Sequence, residues 1–264
     1  MKFIYSLSLI FSLSFFAFGQ RQKDLSTAAE RVNKSSGVIN HFTNLGADSV
    51  PVEYLRKAKA IAVFPEITKV NILLNELFTG NGIVSVRRSG GDDGGGWSVP
   101  AFLAFKGSGV NLSFAGKKSF DAVVLFMDDE SIGWLKKGDI NFSSGKKVIA
   151  LGPVIGGAET DKTSKNANLI YYTFRDGQLI DVDLRNDSFL KAFGIAHDNN
   201  MNKAIFGMKT KTLFETPESS VKVPAEIDRF RTAIIEALSP PPPPPQQQQQ
   251  PAPELNSEKA NKNR

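Results

Sequence analysis

The sequence predicts an α+β fold: an antiparallel β-sheet, free to curl strongly, with flanking helices. Three features predict it. The middle of the chain is a run of short apolar and β-branched stretches joined by short turns. Helical periodicity is concentrated at the two ends of that run. No internal repeat of fixed period is present, which argues for one domain rather than a solenoid.

Leu25, Ala28, Ala29, Val32, Ile39 and Phe42 fall on one helical stripe at the start of the folded region. Pro51 suits the first turn of a short helix carrying Val52 and Leu55. "AKAIAVFP" reads as a buried strand that Pro65 stops. "KVNILL" and "GIVSVRR" read as strands flanking "NELFTGNG", and "WSVPAFLAF", "GVNLSFAG" and "FDAVVLFM" come next. Asp128 can cap a helix through "ESIGWLKK", and Gly138 can end it. "KKVIALGPVI" and "NLIYYTFRDGQLIDVDL" complete the strands. Asp176-Gly177 is the two-residue signature of a type I′ hairpin. Beyond it, Ile180, Val182 and Leu184 alternate with Asp181 and Asp183. A helix is expected over "NNMNKAIF". A last one starts near Pro224, with Ile227, Phe230, Ile234 and Leu238 on one face.

The glycine-rich stretch "SGGDDGGGWSVPAF" raises the question of a phosphate cradle. Asp92 and Asp93 would repel an anion, and the residues after Gly96 are aromatic and broken by Pro100 rather than helical. The stretch is therefore read as a hairpin loop, with Trp97 packing on the sheet.

Both ends read as something other than fold. Residues 1–19 carry one lysine, an apolar run and small residues Ala17 and Gly19, the pattern of a signal peptide cleaved before Gln20. The folded domain is expected over 20–238. Residues 239–264 hold six consecutive prolines and a glutamine run, a disordered tail that could also serve as a spacer or meet a protein partner. The chain has no cysteine, which excludes disulfides, thiol nucleophiles and thiolate metal sites.

Enzyme signatures are missing. No G-x-S-x-G, H-E-x-x-H or complete P-loop occurs, and the two histidines, His41 and His197, stand far apart in sequence. His197 beside Asp198 is the one pair that could orient a base. No catalytic residue, metal ligand or cofactor is assigned. The net charge of +5 permits attraction to anionic surfaces. Lysine and arginine recur at expected strand ends and turns, among them Lys117, Lys118, Lys136, Lys137, Lys146 and Lys147. Lys57, Lys59, Lys69, Arg87 and Arg88 are the lipid-binding candidates, forming a rim that could meet acidic head groups.

Taken together, "LRKAKAIAVFPEITKV", "GNGIVSVR", "WSVPAF", "FDAVVLFM", "GPV" and "NKAIFG" occur in an order and spacing that resemble the SYLF domain family, over roughly 25–213. The resemblance implies a lipid-binding, non-enzymatic module, with anionic phospholipid of the phosphoinositide type or a membrane surface as partner and no nucleic acid. Relatives inside eukaryotic cells also bind actin, a role that does not carry over to an exported chain. The chain departs from the family pattern where a glycine-rich segment reads "KVNILLNELFTGNG". Asn71, Leu74, Asn75, Leu77 and Phe78 replace most of the glycines, and Gly80 and Gly82 remain. A ligand pocket there would be narrowed, filled or reshaped. Two alternatives stand beside the lipid reading: an interaction or structural protein of the periplasm using the Pro/Gln tail, and an enzyme built around His197.

Overall fold

Strand β1 (Ala60–Ile72) holds the centre of the sheet in the computed structural model, which describes residues 2–72, 75–88, 96–109, 119–142, 147–153, 164, 166–180 and 193–239. It pairs antiparallel with β2 (Asn75–Val86) on one side and β4 (Ser119–Phe126) on the other. Beyond β2 come β3 (Ala101–Gly109), β9 (Gly194–His197) and β5 (Asp139–Asn141). Beyond β4 come β7 (Leu169–Arg175) and β6 (Ile149–Leu151), and β8 (Gln178–Ile180) also pairs with β7. The β6–β7 pair is parallel and the others are antiparallel, so the sheet is mixed, mostly antiparallel and strongly curled. Around it lie α1 (Lys2–Phe42), α2 (Val52–Lys57), α3 (Asp129–Lys137), α4 (Asn199–Phe206), α5 (Thr210–Glu215) and α6 (Ala225–Leu238). The α+β expectation holds.

Strand alternation explains the layering. Along β1, Ala60, Ala62 and Phe64 enter one core, while Ile61 and Val63 enter another. The first core contains Leu103, Phe105, Val124 and Tyr171 of the sheet, with Ile132 and Leu135 of α3 and Leu213 of α5. The second joins Val123, Leu125, Ile170 and Tyr172 to Ala28, Val32, Ile39 and Phe42 of α1 and to Ile227, Phe230 and Ile234 of α6. A sheet covered on both faces needs apolar residues at successive positions. That is why β1, β4 and β7 read as continuous apolar runs rather than strict alternation.

Several boundaries differ from the sequence reading. Pro65 does not stop β1. The strand continues through a bulge, where pairing to β2 jumps from Val63–Ile83 to Thr68–Thr79. Proline has no N–H to donate, so the bulge tolerates it, and Glu66 comes next with φ 53°, its N–H bound to Asp121 Oδ1 at 2.8 Å. "NELFTGNG" is the first half of β2 rather than a connector. Strand β3 begins at Ala101, with Trp97 forming an isolated bridge to Arg87 and burying its ring. Strands β5 and β9 and helix α5 are not among the elements expected from the sequence. The first helix starts at Lys2, ahead of the periodic stripe that opens at Leu25. Among the described residues no helix is long and apolar enough to cross a membrane. "GVNLSFAG" beyond Gly109, residues 181–184, the glycines of 89–95 and the Pro/Gln run lie outside the described residues.

Other expectations hold in detail. Asp128 accepts from Ser131 N at 2.8 Å in a capping box, and Gly138 ends α3 with φ 79°. Asp176 and Gly177 take φ 52° and 74°, the left-handed pair a type I′ turn requires.

The Phe78 ring stands 6.3 Å from Phe120 and 5.4 Å from Phe193 within the first core. At Gly80 and Gly82 side chains do not fit. A Cβ on Gly82 would come within 2.6 Å of the Phe64 ring and of Val63 O, and one on Gly80 within 2.8 Å of Ile67.

Candidate functional site

Four of the five basic candidates converge at one end of the central strands. Helix α2 delivers Lys57 in its last turn, and the chain enters β1 immediately after Lys59. The Lys59 N–H donates to Phe126 O and its carbonyl accepts from Arg87 N, both at 2.7 Å. Lys59 is thus clamped between β4 and the end of β2, with Arg88 next along the chain. Lys69 is elsewhere: it pairs with Phe78 far along β1, about 30 Å of strand from Lys59 at roughly 3.3 Å per residue.

The convergent residues are not equivalent. Arg87 is half-buried and committed to the fold. Its Nε donates to Ala58 O at 3.0 Å and its Nη2 to Leu55 O at 3.2 Å, closing the C-terminus of α2. Its guanidinium lies over the Trp97 ring at 4.4 Å. Burial pushes its pKa below the ordinary arginine value. Arg88 pairs with Glu218 at 3.2 Å, and Glu218 also binds Arg231, whose pKa is lowered by burial and then by the neighbouring Arg88 charge. Lys59 pairs with Asp129 at 2.6 Å. Lys57 is exposed, its ammonium 5.9 Å from the Tyr54 ring centre, and burial raises the Tyr54 pKa. Arg87→Met should therefore cost about 2 kcal/mol of stability in a denaturant titration, because two helix-end carbonyls each lose a charged donor. Arg87→Lys should recover little, since an ammonium cannot fork between two carbonyls and stack as well.

Two further residues belong to this rim. Exposed Arg56 precedes Lys57, and its Nη2 lies 3.3 Å from Leu238 O at the end of α6. One turn back on α6, Ile235 is 53% exposed, the only large apolar side chain so exposed among the described residues. Both are legible in the sequence. Arg56 belongs to the run "LRKAK", and Ile235 falls off the stripe of Ile227, Phe230, Ile234 and Leu238. The rim is thus a set of exposed cations, Arg56 and Lys57 foremost, where the end of α2 meets the end of α6, the helix on which Ile235 is exposed.

The second sequence candidate, His197, sits in β9 rather than in a loop. Its Nε2 lies 2.7 Å from Leu135 O, and its ring meets Phe214 edge-on at 6.1 Å. Asp198 turns to other partners: it caps α4 through Met201 N at 3.1 Å and pairs with buried Arg31 at 2.9 Å. The pair thus serves as two joints, one to α3 and one to α1. Burial lowers the His197 pKa from its ordinary 6.5, opposed by the bond to Leu135. The unfolded chain then binds the proton more readily than the folded one. Stability from this group is complete above the ordinary value and falls as pH drops below it. Denaturation midpoints should decline between about pH 7.5 and pH 5, and decline less in His197→Gln.

No protein-family model matches the sequence, and no curated protein matches it.

Proposed function

We propose that the chain is an exported SYLF-like module that binds acidic phospholipid at a membrane surface without catalysing a reaction. The observation that carries this reading is the rim at the α2 end of the sheet. Arg56 and Lys57 project from a short helix, Lys59 and Arg88 flank it, and Arg56 reaches the end of α6, where Ile235 is exposed one turn back. Cations beside an exposed apolar side chain are what a peripheral contact with an anionic bilayer needs. The charges find the surface, and the isoleucine enters the boundary between head groups and acyl chains. Export rests on the leader-like residues 1–19, and the Pro/Gln tail departs from the same end of α6.

The rim also dictates the variant. Arg87 must be left alone because it holds α2. Arg56→Glu with Lys57→Glu alters two exposed charges, and should weaken adsorption to anionic vesicles by about tenfold or more, at roughly 1 kcal/mol per charge. Flotation with vesicles containing phosphatidylserine or a phosphoinositide checks this. Lys69→Glu, far along β1, should have a much smaller effect. Equal binding by the double variant and the parent chain would remove the rim from the account.

A further inference from the structure

A groove of about 770 Å³ opens on a different part of the molecule, between the start of the expected mature chain, the end of α4 and the segment before α6. Its floor is apolar: Ile205, Phe206, Met208, Val221 and Pro224. Phe206 is half-buried, packs on both cores and stacks on Phe102 at 6.2 Å, so the groove lies at the seam where the two cores meet. Its walls carry Arg21, Lys203 and Lys222. Among the described residues none of these three cations has an ion pair. The one carboxylate in the walls, Asp24, accepts from Gln20 Nε2 at 2.8 Å.

An apolar floor wide enough for a small ligand, beside three positive charges that outnumber the one carboxylate, has a definite complement. A neutral hydrocarbon would leave the charges unused. A small hydrophilic anion would leave the floor in water. We infer that this groove is a separate binding site for one molecule of an anionic single-chain amphiphile. Its hydrocarbon chain lies on Phe206, Met208 and Val221, and its carboxylate, sulfate or phosphate head meets Arg21, Lys203 and Lys222. The site is independent of the rim, and its ligand is a dissolved monomer rather than a membrane.

Dodecanoate, kept below the concentration at which it forms micelles, is the probe. Calorimetry on the protein purified as the cell delivers it should show saturable binding with one molecule per chain. Lys203→Glu with Lys222→Glu should weaken it about tenfold or more, since reversing two charges turns attraction for the anionic head into repulsion. Met208 is the steric control: Met208→Trp should block the floor while leaving the head-group charges in place. Dodecanol, with the same chain and no charge, should bind at least about tenfold more weakly than dodecanoate. The rim variant Arg56→Glu with Lys57→Glu should bind dodecanoate unchanged, which separates this site from the proposed membrane contact. Absence of saturable binding, or binding indifferent to both the charge reversals and Met208→Trp, overturns the inference. Replacing dodecanoate with decyl sulfate or decyl phosphate distinguishes the three head groups.

Discussion

Replacing Asn202 by leucine is expected to destabilise the domain by about 3–5 kcal/mol, the range reached when a buried hydrogen-bond network is broken. Asn202 is fully buried in α4. Its Oδ1 accepts from Phe102 N at 2.9 Å, and its Nδ2 donates toward Phe102 O at 2.8 Å, Thr210 Oγ1 at 2.7 Å and Asp198 O at 3.0 Å. One amide therefore binds α4 to β3, to the start of α5 and to its own first turn. Leucine has similar volume but offers none of these bonds. Phe102 N and the Thr210 hydroxyl would be left short of partners in a fully buried site. Arg31 adds to the same joint, pairing with Asp198 while its guanidinium lies 5.1 Å from the Phe102 ring centre. A urea titration of Asn202→Leu checks the figure. A loss below about 1 kcal/mol would mean that β3 and α4 hold together by apolar packing alone.

Gly82→Val should be comparably severe, at about 3 kcal/mol or more, for a different reason. The added carbon enters space held by the Phe64 ring and by Val63 O, which is backbone in the central strand. Phe64 cannot simply turn away, because its ring meets Phe105 at 5.4 Å and Phe105 in turn meets Phe193 at 5.2 Å. Gly82→Ala should also destabilise, against the usual gain from removing a glycine within a regular element. The contrast is Gly37, inside α1 near its C-terminal end, with nothing within 4 Å of a Cβ. Gly37→Ala should stabilise by up to about 1 kcal/mol. The opposite signs at two glycines, read from thermal melts, test whether close approach is what keeps Gly82.

Features of the fold are legible in the sequence to the extent that their signals are local. Caps, turns and periodic helices can be read directly, because Asp128, Gly138, Asp176-Gly177 and the stripe of α6 each act within a few residues. Pro65 misleads because a proline reads as a stop, whereas here a bulge absorbs its missing N–H and the strand resumes at Ile67. Strands β5 and β9 escape a sequence reading because each is three or four residues long and exists through a partner distant in sequence. The rim is half legible. Basic residues at the α2 end stand out, but sequence alone does not separate Arg87, which caps α2 from within, from exposed Lys57 and Arg56. Nor does it show that Lys69 stands far from the rest, since distance along a strand becomes distance in space only once the strand is placed. The partners of Phe78, Phe120 and Phe193, lie far from it in sequence and come together only through the fold.

The central claim is that a charged rim holds the domain on acidic lipid. It is tested most directly by co-sedimentation of the protein with vesicles of stepped phosphatidylserine content, repeated at rising salt. Attraction between exposed charges is screened over about 8 Å at physiological ionic strength and about 3 Å at 1 M. Bound protein should therefore increase steeply with anionic content, fall as salt rises, and be negligible on purely neutral vesicles. Binding that ignores both lipid charge and salt, or no binding to the most acidic vesicles at low salt, would contradict the account.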